Sequence, residues 1–474
     1  MGSFIDNFKA LNSLLLKELE FFKTDPVEVV DFSPPAFRET CRTKIQAGKQ
    51  RLAKPYQNGY IEPLLKNFEG IHDALKPIPG QPRDRDPHKY AYLTSLVNAA
   101  LQPDQELVAP YLVAIQGIVD DLHQSFLTSR TNLGIPPSLD QAISPLVGFV
   151  GPLPSRISKK APMPATFELE QMRDREHLPD HASDFKAGTI VIPAGYLKAP
   201  LLWSVLGHEV GGHYALTADR GDKLLSELRS KIYDMVLDQF PNKKAMAAIW
   251  MHWAEETAAD VCGVLSLGPS YGKGMIHYYT AQLPSAGWSD KTSSRSLETV
   301  SSTLDNHPTP VLVPYVISGA VKALSGLSAS RKFRYTAQIE EIARVITREE
   351  EVLTFPNSQT LMDKDKVLIN LPKEQSLELM RESALLVGSY IASVPLNALN
   401  GHTLQELATW NDGDEDAAIE VANQLMKPES SSAIATSRNK PKRVQLLSGG
   451  ILAVIRAPEL YGHVNRVLLK EFGV

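Results

Sequence analysis

Apolar residues recur at steps of three and four along most of the chain, which is the spacing of one face of an α-helix. In the N-terminal part the pattern begins at Phe8 and Leu11, and it returns over residues 90–101 and 107–127. Stretches rich in proline, such as residues 77–87, separate these segments. Because proline interrupts helices, we expect several helices joined by loops. The pattern therefore predicts a helical N-terminal region over residues 1–155.

Two short runs depart from the helical spacing and favour β-strands. They cover residues 165–170 and 188–193, and the second reads Gly-Thr-Ile-Val-Ile-Pro. β-branched residues that end at a proline are typical of a strand. Seven prolines between Gly134 and Pro164 lie around this point of the chain. We therefore predict a domain boundary near residues 150–160, followed by a second unit over residues 156–474.

Helical spacing dominates again after residue 200. The predicted helices are 200–214, 222–240, 243–267, 310–325, 335–352, 373–393, 403–409, 414–426 and a C-terminal pair. The polar stretch 428–443 is predicted to be an exposed loop. The chain is thus predicted to be an α+β protein that is predominantly α-helical, with a small sheet next to the helix over residues 200–214.

The composition is that of an ordinary globular protein, with 474 residues of which 43% are hydrophobic and 22% are charged. A net charge of -5 argues against nucleic acid as a partner, because binding to phosphates needs a basic face. The two cysteines, Cys41 and Cys262, can build neither a disulfide framework nor a cysteine zinc cluster. A bound metal would therefore be held by histidine and carboxylate side chains.

The N-terminus and the hydropathy of the chain predict a cytoplasmic protein without a membrane partner. The first residues alternate charged and apolar side chains and lack the basic start and the cleavage site of a signal peptide. Asp6 stands where a myristoylation signal has serine or threonine. Every apolar stretch is too short to span a bilayer.

The most informative segment reads His-Glu-Val-Gly-Gly-His and contains His208, Glu209 and His213. In the common zinc-hydrolase pattern the two histidines are four residues apart on one helix face, and the glutamate between them is the general base. A spacing of five residues on an α-helix would turn the second imidazole by roughly 140°. Gly211 and Gly212 lie between the histidines, and glycine tolerates a π-bulge or a locally unwound turn. We therefore predict a modified metal site.

A third ligand is expected from the helix over residues 243–267, which contains Glu-Glu-Thr-Ala-Ala-Asp. Glu256 and Asp260 are four residues apart and share a helix face. Glu256 can bind the metal while Asp260 accepts the free N–H of a metal-binding histidine. His252 lies on the same face, where packing in the core or beside the ligands is commoner than direct binding. The two helices would then face each other across one Zn²⁺ per chain.

The predicted strands before the first motif suggest how a substrate could bind. In zinc peptidases a substrate backbone commonly pairs with a sheet edge beside the metal, and either predicted strand could offer that edge. For residues 188–193 an internal strand of the core is an equally good interpretation.

The two motifs resemble those of a known family. His-Glu-Val-Gly-Gly-His resembles the HExxGH motif of dipeptidyl peptidase III, including Gly212, and Glu-Glu-Thr-Ala-Ala-Asp is similar to its EExxA(E/D) motif. The resemblance implies a zincin-like, gluzincin-type metallopeptidase in which zinc is held by His208, His213 and Glu256, with Glu209 as general base. The resemblance covers the metal site only. The chain is also far shorter than members of that family, so release of dipeptides is not implied. The tyrosine carboxypeptidases that trim tubulin resemble the first motif alone.

The chemistry implied is metal-assisted hydrolysis. Zinc would polarise the scissile carbonyl and acidify a bound water, while Glu209 accepts the proton and passes it to the leaving amine. The developing oxyanion also needs a hydrogen-bond donor. We favour His307, because it lies in an irregular loop next to a proline, where a side chain can face a cleft. The alternative donors are Tyr278, Tyr279 and His277.

The sequence thus predicts a zinc-dependent metallopeptidase that acts on a peptide or a small peptide-like substrate. Two other functions are consistent with the motifs: a zinc-dependent amidase or hydrolase of a small peptide-derived metabolite, and a zincin-fold binding module without turnover. Glu209 argues against the binding module, because a closed structural zinc site has no use for a carboxylate beside an open position. The oligomeric state is not predicted.

Overall fold

The computed structural model consists mainly of helices with four small sheets in the part of the chain that it describes. This part comprises residues 4–21, 37–49, 52, 54–66, 108–135, 143–150, 165–167, 188–216, 223–285, 299–300, 303–304, 307–347, 352–354, 360–427, 434 and 440–474. The prediction of a predominantly α-helical chain with a small sheet is confirmed.

The N-terminal elements are helical, as the periodicity predicts. They are α1 (Phe4–Phe21), α2 (Phe37–Lys49), α3 (Lys54–Tyr56), which continues as a π-helix (Gln57–Ile61), and α4 (Ala109–Asn132). The helix expected over residues 90–101 and the domain boundary expected near 150–160 lie outside the described residues, so both stay predictions.

A three-stranded sheet lies next to the first motif. Its strands are β1 (Leu146–Val150), β2 (Ala165–Phe167) and β3 (Thr189–Pro193). β3 is central, with β1 parallel on one side and β2 antiparallel on the other. Because both of its sides are paired, residues 188–193 form an internal strand and do not offer an edge. β1 was not predicted, since it lies within the proline-rich stretch that the sequence analysis interprets as a boundary.

The predicted helix over residues 200–214 consists of three segments, a 3₁₀-helix, a short α-helix and a π-helix, and a further 3₁₀-helix precedes it. Two 3₁₀-helices (Ala194–Lys198 and Pro200–Val205) lead into α5 (Leu206–His208) and a second π-helix (Glu209–Tyr214). Residues 206–214 are termed the motif helix below. Helices α6 (Lys223–Gln239), α7 (Lys244–His252) and α8 (Ala254–Ser285) follow. The predicted helix over 243–267 is therefore divided at Trp253, between α7 and α8.

Helix α8 folds back on itself at Gly268. The hydroxyl of Tyr279 lies 3.3 Å from Oδ1 of Asp260, although the two residues are 19 apart in sequence. In a straight helix their Cα atoms would be about 28 Å apart. Gly268 makes the reversal possible, because its φ of 78° and ψ of -174° belong to a region that only glycine readily adopts. The predicted helix end at Leu267 agrees with this reversal, but the return arm, residues 269–285, was not predicted.

The remaining elements surround α8. They are β4 (Thr299–Val300), β5 (Thr303–Leu304), α9 (Val313–Ala323), α10 (Ala329–Thr347), β6 (Val352–Thr354), β7 (Thr360–Met362), β8 (Leu368–Asn370), β9 (Glu374–Ser376), α11 (Leu377–Ser393), α12 (Leu404–Leu407), α13 (Asp412–Leu425), α14 (Arg443–Arg456) and α15 (Tyr461–Glu471). The helices lie where the periodicity predicts them, whereas the short strands were not predicted. Most of the predicted loop over 428–443 lies outside the described residues.

The packing around α8 fixes the position of the second motif. α8 contacts the motif helix, α1, α9, α11 and α14. Its residues Ala258, Ala259 and Val261 are fully buried. The part of α8 before the reversal, residues 254–267, is termed its first arm below. Because the core holds the helix from several sides, packing as well as local sequence determines the position of the carboxylates on this arm.

Among the described residues, no helix is long and apolar enough to cross a membrane.

Candidate metal centre

The extra residue between the two histidines is accommodated by the π-helix over Glu209–Tyr214. In a π-helix residue i bonds to residue i+5, so a five-residue spacing there takes the place of the four-residue spacing of an α-helix. As a result, the Nε2 atoms of His208 and His213 lie 3.0 Å apart. The two imidazoles therefore share one face of the motif helix, as the glycine pair leads us to expect.

A glycine allows the motif helix to approach α8 at backbone distance. A methyl group at Gly212 would lie 2.4 Å from Cα of Ala259 and 2.9 Å from its carbonyl oxygen. Both distances are too short for real atoms, so a side chain at this position would push the two helices apart. Since α8 carries Glu256, this contact brings the third ligand next to the histidines.

Glu256 completes a group of three donor atoms. Its Oε2 lies 3.2 Å from Nε2 of His208 and 3.2 Å from Nε2 of His213. For metal–ligand bonds of about 2.0–2.1 Å, a tetrahedral zinc separates its donors by roughly 3.3 Å. The observed distances fit such an ion. Among the described residues, this is the group of His, Cys, Asp and Glu side chains that could hold a metal ion.

Each histidine also has a carboxylate at its other ring nitrogen. Nδ1 of His208 is 2.9 Å from Oδ1 of Asp260, the contact that the sequence analysis expects. Nδ1 of His213 is 3.4 Å from Oε1 of Glu255. When Nδ1 donates its proton to the carboxylate, Nε2 keeps its lone pair for a metal. The outer contacts therefore favour the tautomer that binds a metal.

Sequence reasoning missed three outer contacts, those of Glu255, Arg229 and Tyr279, although it considered Tyr279 as a donor to the oxyanion. Glu255 directly precedes the predicted ligand Glu256, and this position was the one indication in the sequence that it lies near the histidines. Arg229 of α6 donates to Oε2 of Glu255 at 3.0 Å. Tyr279 donates to Asp260 from the return arm of α8. Nothing in the local sequence indicates the contacts of Arg229 or Tyr279, because tertiary packing creates both of them.

The electrostatics of the cluster favour a positive charge at its centre. Burial disfavours a charged imidazole, but hydrogen bonds to Asp260 and Glu256 outweigh it and raise the pKa of His208 to about 9. The same competition, with Glu256 and Glu255 as partners, raises the pKa of His213 well above its usual value. Burial would raise the pKa of Glu256, yet His307 and His213 hold it well below its usual range. The site thus stabilises cations.

The two predicted catalytic residues differ in how they relate to the donor group. Glu209 is buried at the start of the π-helix, and its charge contributes to the raised pKa of His213. His307 lies between β5 and α9, and its Nε2 is 3.3 Å from Oε2 of Glu256. With 41% of its side chain exposed, His307 reaches the cluster from the solvent side. Of these two residues, Glu209 is thus buried and His307 is accessible to solvent.

The other histidine and tyrosine candidates have different surroundings. Nδ1 of His277 lies 2.7 Å from Oδ1 of Asn12 on α1. The buried hydroxyl of Tyr278 lies 2.6 Å from that of Tyr196, within the core. His252, at the end of α7, is not part of the donor group. These contacts argue against His277 and Tyr278 as donors to an oxyanion.

Replacing Gly212 with alanine tests the close helix contact. We expect the free energy of unfolding to fall by about 1–3 kcal/mol, the usual cost of overpacking, because backbone atoms of Ala259 cannot yield to the added methyl group. Affinity for Zn²⁺ should fall as well, since the motif helix moves away from Glu256. Chemical denaturation and metal titration measure the two effects.

Gly211→Ala is the matched control, because it makes the same change in the same turn. Its methyl group would lie 3.0 Å from Oγ of Ser266, a side-chain atom, and the nearest backbone atom, the carbonyl oxygen of Cys262, would be 3.7 Å away. It should have a much smaller effect on both measurements. Equal effects of the two substitutions would contradict the account of the contact.

Comparison with family models, with curated proteins and with solved structures finds no match to this chain. The geometry of the site therefore carries the functional argument.

Proposed function

We propose that this protein is a zinc-dependent metallopeptidase with a zincin-like, gluzincin-type centre that resembles dipeptidyl peptidase III at the metal site. The observation that carries the proposal is the convergence of Nε2 of His208, Nε2 of His213 and Oε2 of Glu256 within 3.2 Å of one another. Glu209 directly follows His208 in the sequence and is buried.

The donor set favours a catalytic zinc over a structural one. Two imidazoles and one carboxylate are the ligands of the thermolysin type of centre, in which the fourth position is left for water or substrate. A structural zinc site would be closed by four protein ligands. When bound, zinc would polarise the substrate carbonyl and lower the pKa of a water at the open position.

The protein's own residues supply the proton transfers and the charge stabilisation. Glu209 follows a ligand directly in sequence, so its carboxylate can accept a proton from the attacking water and deliver it to the leaving amine. His307 approaches from the solvent side, where a substrate would enter, and can donate an N–H to the developing oxyanion. Its contact with Oε2 of Glu256 holds it at the cluster.

The sheet supports a peptide as substrate. β2 contacts the π-helix that carries Glu209 and His213, and in the described part of the chain it is paired with β3 on one side only. An extended peptide can bind such an edge through main-chain hydrogen bonds. This edge favours a peptide over a compact metabolite that could not form a strand.

Digestion of a diverse peptide mixture with mass-spectrometric readout tests the proposal. The zinc-loaded protein should produce new peptide ends, whose positions distinguish an exopeptidase from an endopeptidase. A mixture that stays intact would contradict peptidase activity and favour a non-peptide amidase or a binding module.

Glu209→Gln should slow cleavage strongly while the metal is kept. Loss of the general base is expected to reduce kcat by about 10²–10⁴-fold, whereas the three donor atoms stay in place. The cleavage rate and the zinc content by elemental analysis are measured on the same preparation. Unchanged turnover would remove Glu209 from its role, and loss of zinc would show that the carboxylate is needed for metal binding instead.

His307→Ala should reduce kcat by about 10²–10³-fold, the usual effect of removing one donor to an oxyanion. Zinc content should not change, because His307 is not part of the donor group. His402→Ala is a suitable control, since this histidine lies just before α12 and its contact is with Glu406 of that helix. If the His307 variant cleaves peptides as fast as the control, its assignment is wrong.

A further inference from the structure

We propose that Tyr279 is a positioning residue of the metal centre, acting through Asp260 on the orientation of His208. This inference rests on the proposed metal centre and adds a residue from the return arm of α8. Oδ1 of Asp260 accepts hydrogen bonds from two sides, from Nδ1 of His208 at 2.9 Å and from the hydroxyl of Tyr279 at 3.3 Å.

Asp260 depends on these donors because it is almost fully buried, with 2% of its surface exposed. A buried carboxylate that lacks donors is costly, so each donor restricts where its oxygen can lie. The hydroxyl of Tyr279 approaches the same oxygen that binds His208. It therefore limits the carboxylate to the position in which Nδ1 of His208 keeps its proton and Nε2 keeps its lone pair.

The fold brings Tyr279 to this place at long range. Tyr279 lies on the return arm of α8, and it reaches Asp260 because the helix reverses at Gly268. The return arm is itself seated against the first arm, since a methyl group at Gly263 would overlap the ring of Tyr271. The two arms of α8 thus pack against each other and hold Tyr279 next to Asp260.

The hydroxyl of Tyr279 lies on the Nδ1 side of His208, because it contacts Asp260 and not the donor atoms. Asp260 binds Nδ1 of the imidazole, whereas the donor group is formed by Nε2 at the far edge of the ring. Tyr279 therefore acts through Asp260 and not on a bound substrate. This differs from the role of oxyanion donor that the sequence analysis considers for it.

The neighbouring residue offers a matched control. Tyr278 has the same side chain on the same arm, and the two rings pack with centroids 5.8 Å apart. Its hydroxyl instead bonds to that of Tyr196. Removing either hydroxyl keeps the ring and removes one hydrogen bond, and the bond that Tyr279 makes is the one to Asp260.

The test is the dissociation constant for Zn²⁺, measured by competition with a chromophoric chelator, for Tyr279→Phe and Tyr278→Phe. We expect the Tyr279 variant to bind zinc about 10-fold more weakly, the lower end of the range for residues that orient a ligand. The Tyr278 variant should bind zinc as the unmodified protein does. Melting of the metal-free proteins shows how much each hydroxyl contributes to folding alone.

A double-mutant cycle with Asp260→Asn separates positioning from general packing. If Tyr279 acts through Asp260, then Tyr279→Phe should weaken zinc binding little further in the Asp260→Asn background. Unchanged zinc affinity in Tyr279→Phe, equal losses in the two tyrosine variants, or full additivity in the cycle would each overturn the inference. Zinc binding by the unmodified protein without peptide cleavage would contradict the proposed peptidase and leave the role of Tyr279 standing.

Discussion

The backbone contact between Gly212 and Ala259 sets the distance between the two helices on which the metal centre depends. The motif helix provides both imidazoles, and the first arm of α8 provides the carboxylate that meets them. A side chain at the contact would hold the two helices farther apart, towards the usual spacing of about 8–10 Å, and would move the carboxylate away from the imidazoles. The glycine removes that side chain, and the π-helix turns the second imidazole to the same face.

Bringing three donor atoms within 3.2 Å of one another has an electrostatic consequence. Lone pairs directed at one point repel unless a cation lies between them. Asp260 and Glu255 enforce this arrangement, because each accepts a hydrogen bond from the opposite edge of one imidazole. The neighbouring carboxylates raise the pKa of His208 and of His213, which favours protons on these imidazoles. A metal ion would replace them, so its binding should release protons.

Local spacing in the sequence was sufficient to predict the parts of the site that lie within one helix turn. The five-residue step between His208 and His213, with glycines between, led to a π-bulge as one of two solutions. The four-residue step from Glu256 to Asp260 placed both on one helix face. The helices after residue 200 were predicted for the same reason, because their periodicity is local.

Contacts between distant segments could not be predicted in this way. The reversal of α8 at Gly268 places Tyr279 against Asp260, and no periodicity indicates that a helix folds back. Arg229 contacts Glu255 because two helices pack together. β1 lies in a proline-rich stretch, which does not show the residue pattern of a strand. Each of these features depends on contacts between residues that are far apart in the sequence, and no local pattern of residues indicates such contacts.

Elemental analysis of protein purified without metal-binding tags tests the central claim most directly. The account predicts about one zinc ion per chain, bound by two imidazoles and one carboxylate. It also predicts that His213→Ala, which removes one of the three donors, loses the metal while the chain stays folded. A folded His213→Ala protein with its full zinc content would contradict the account.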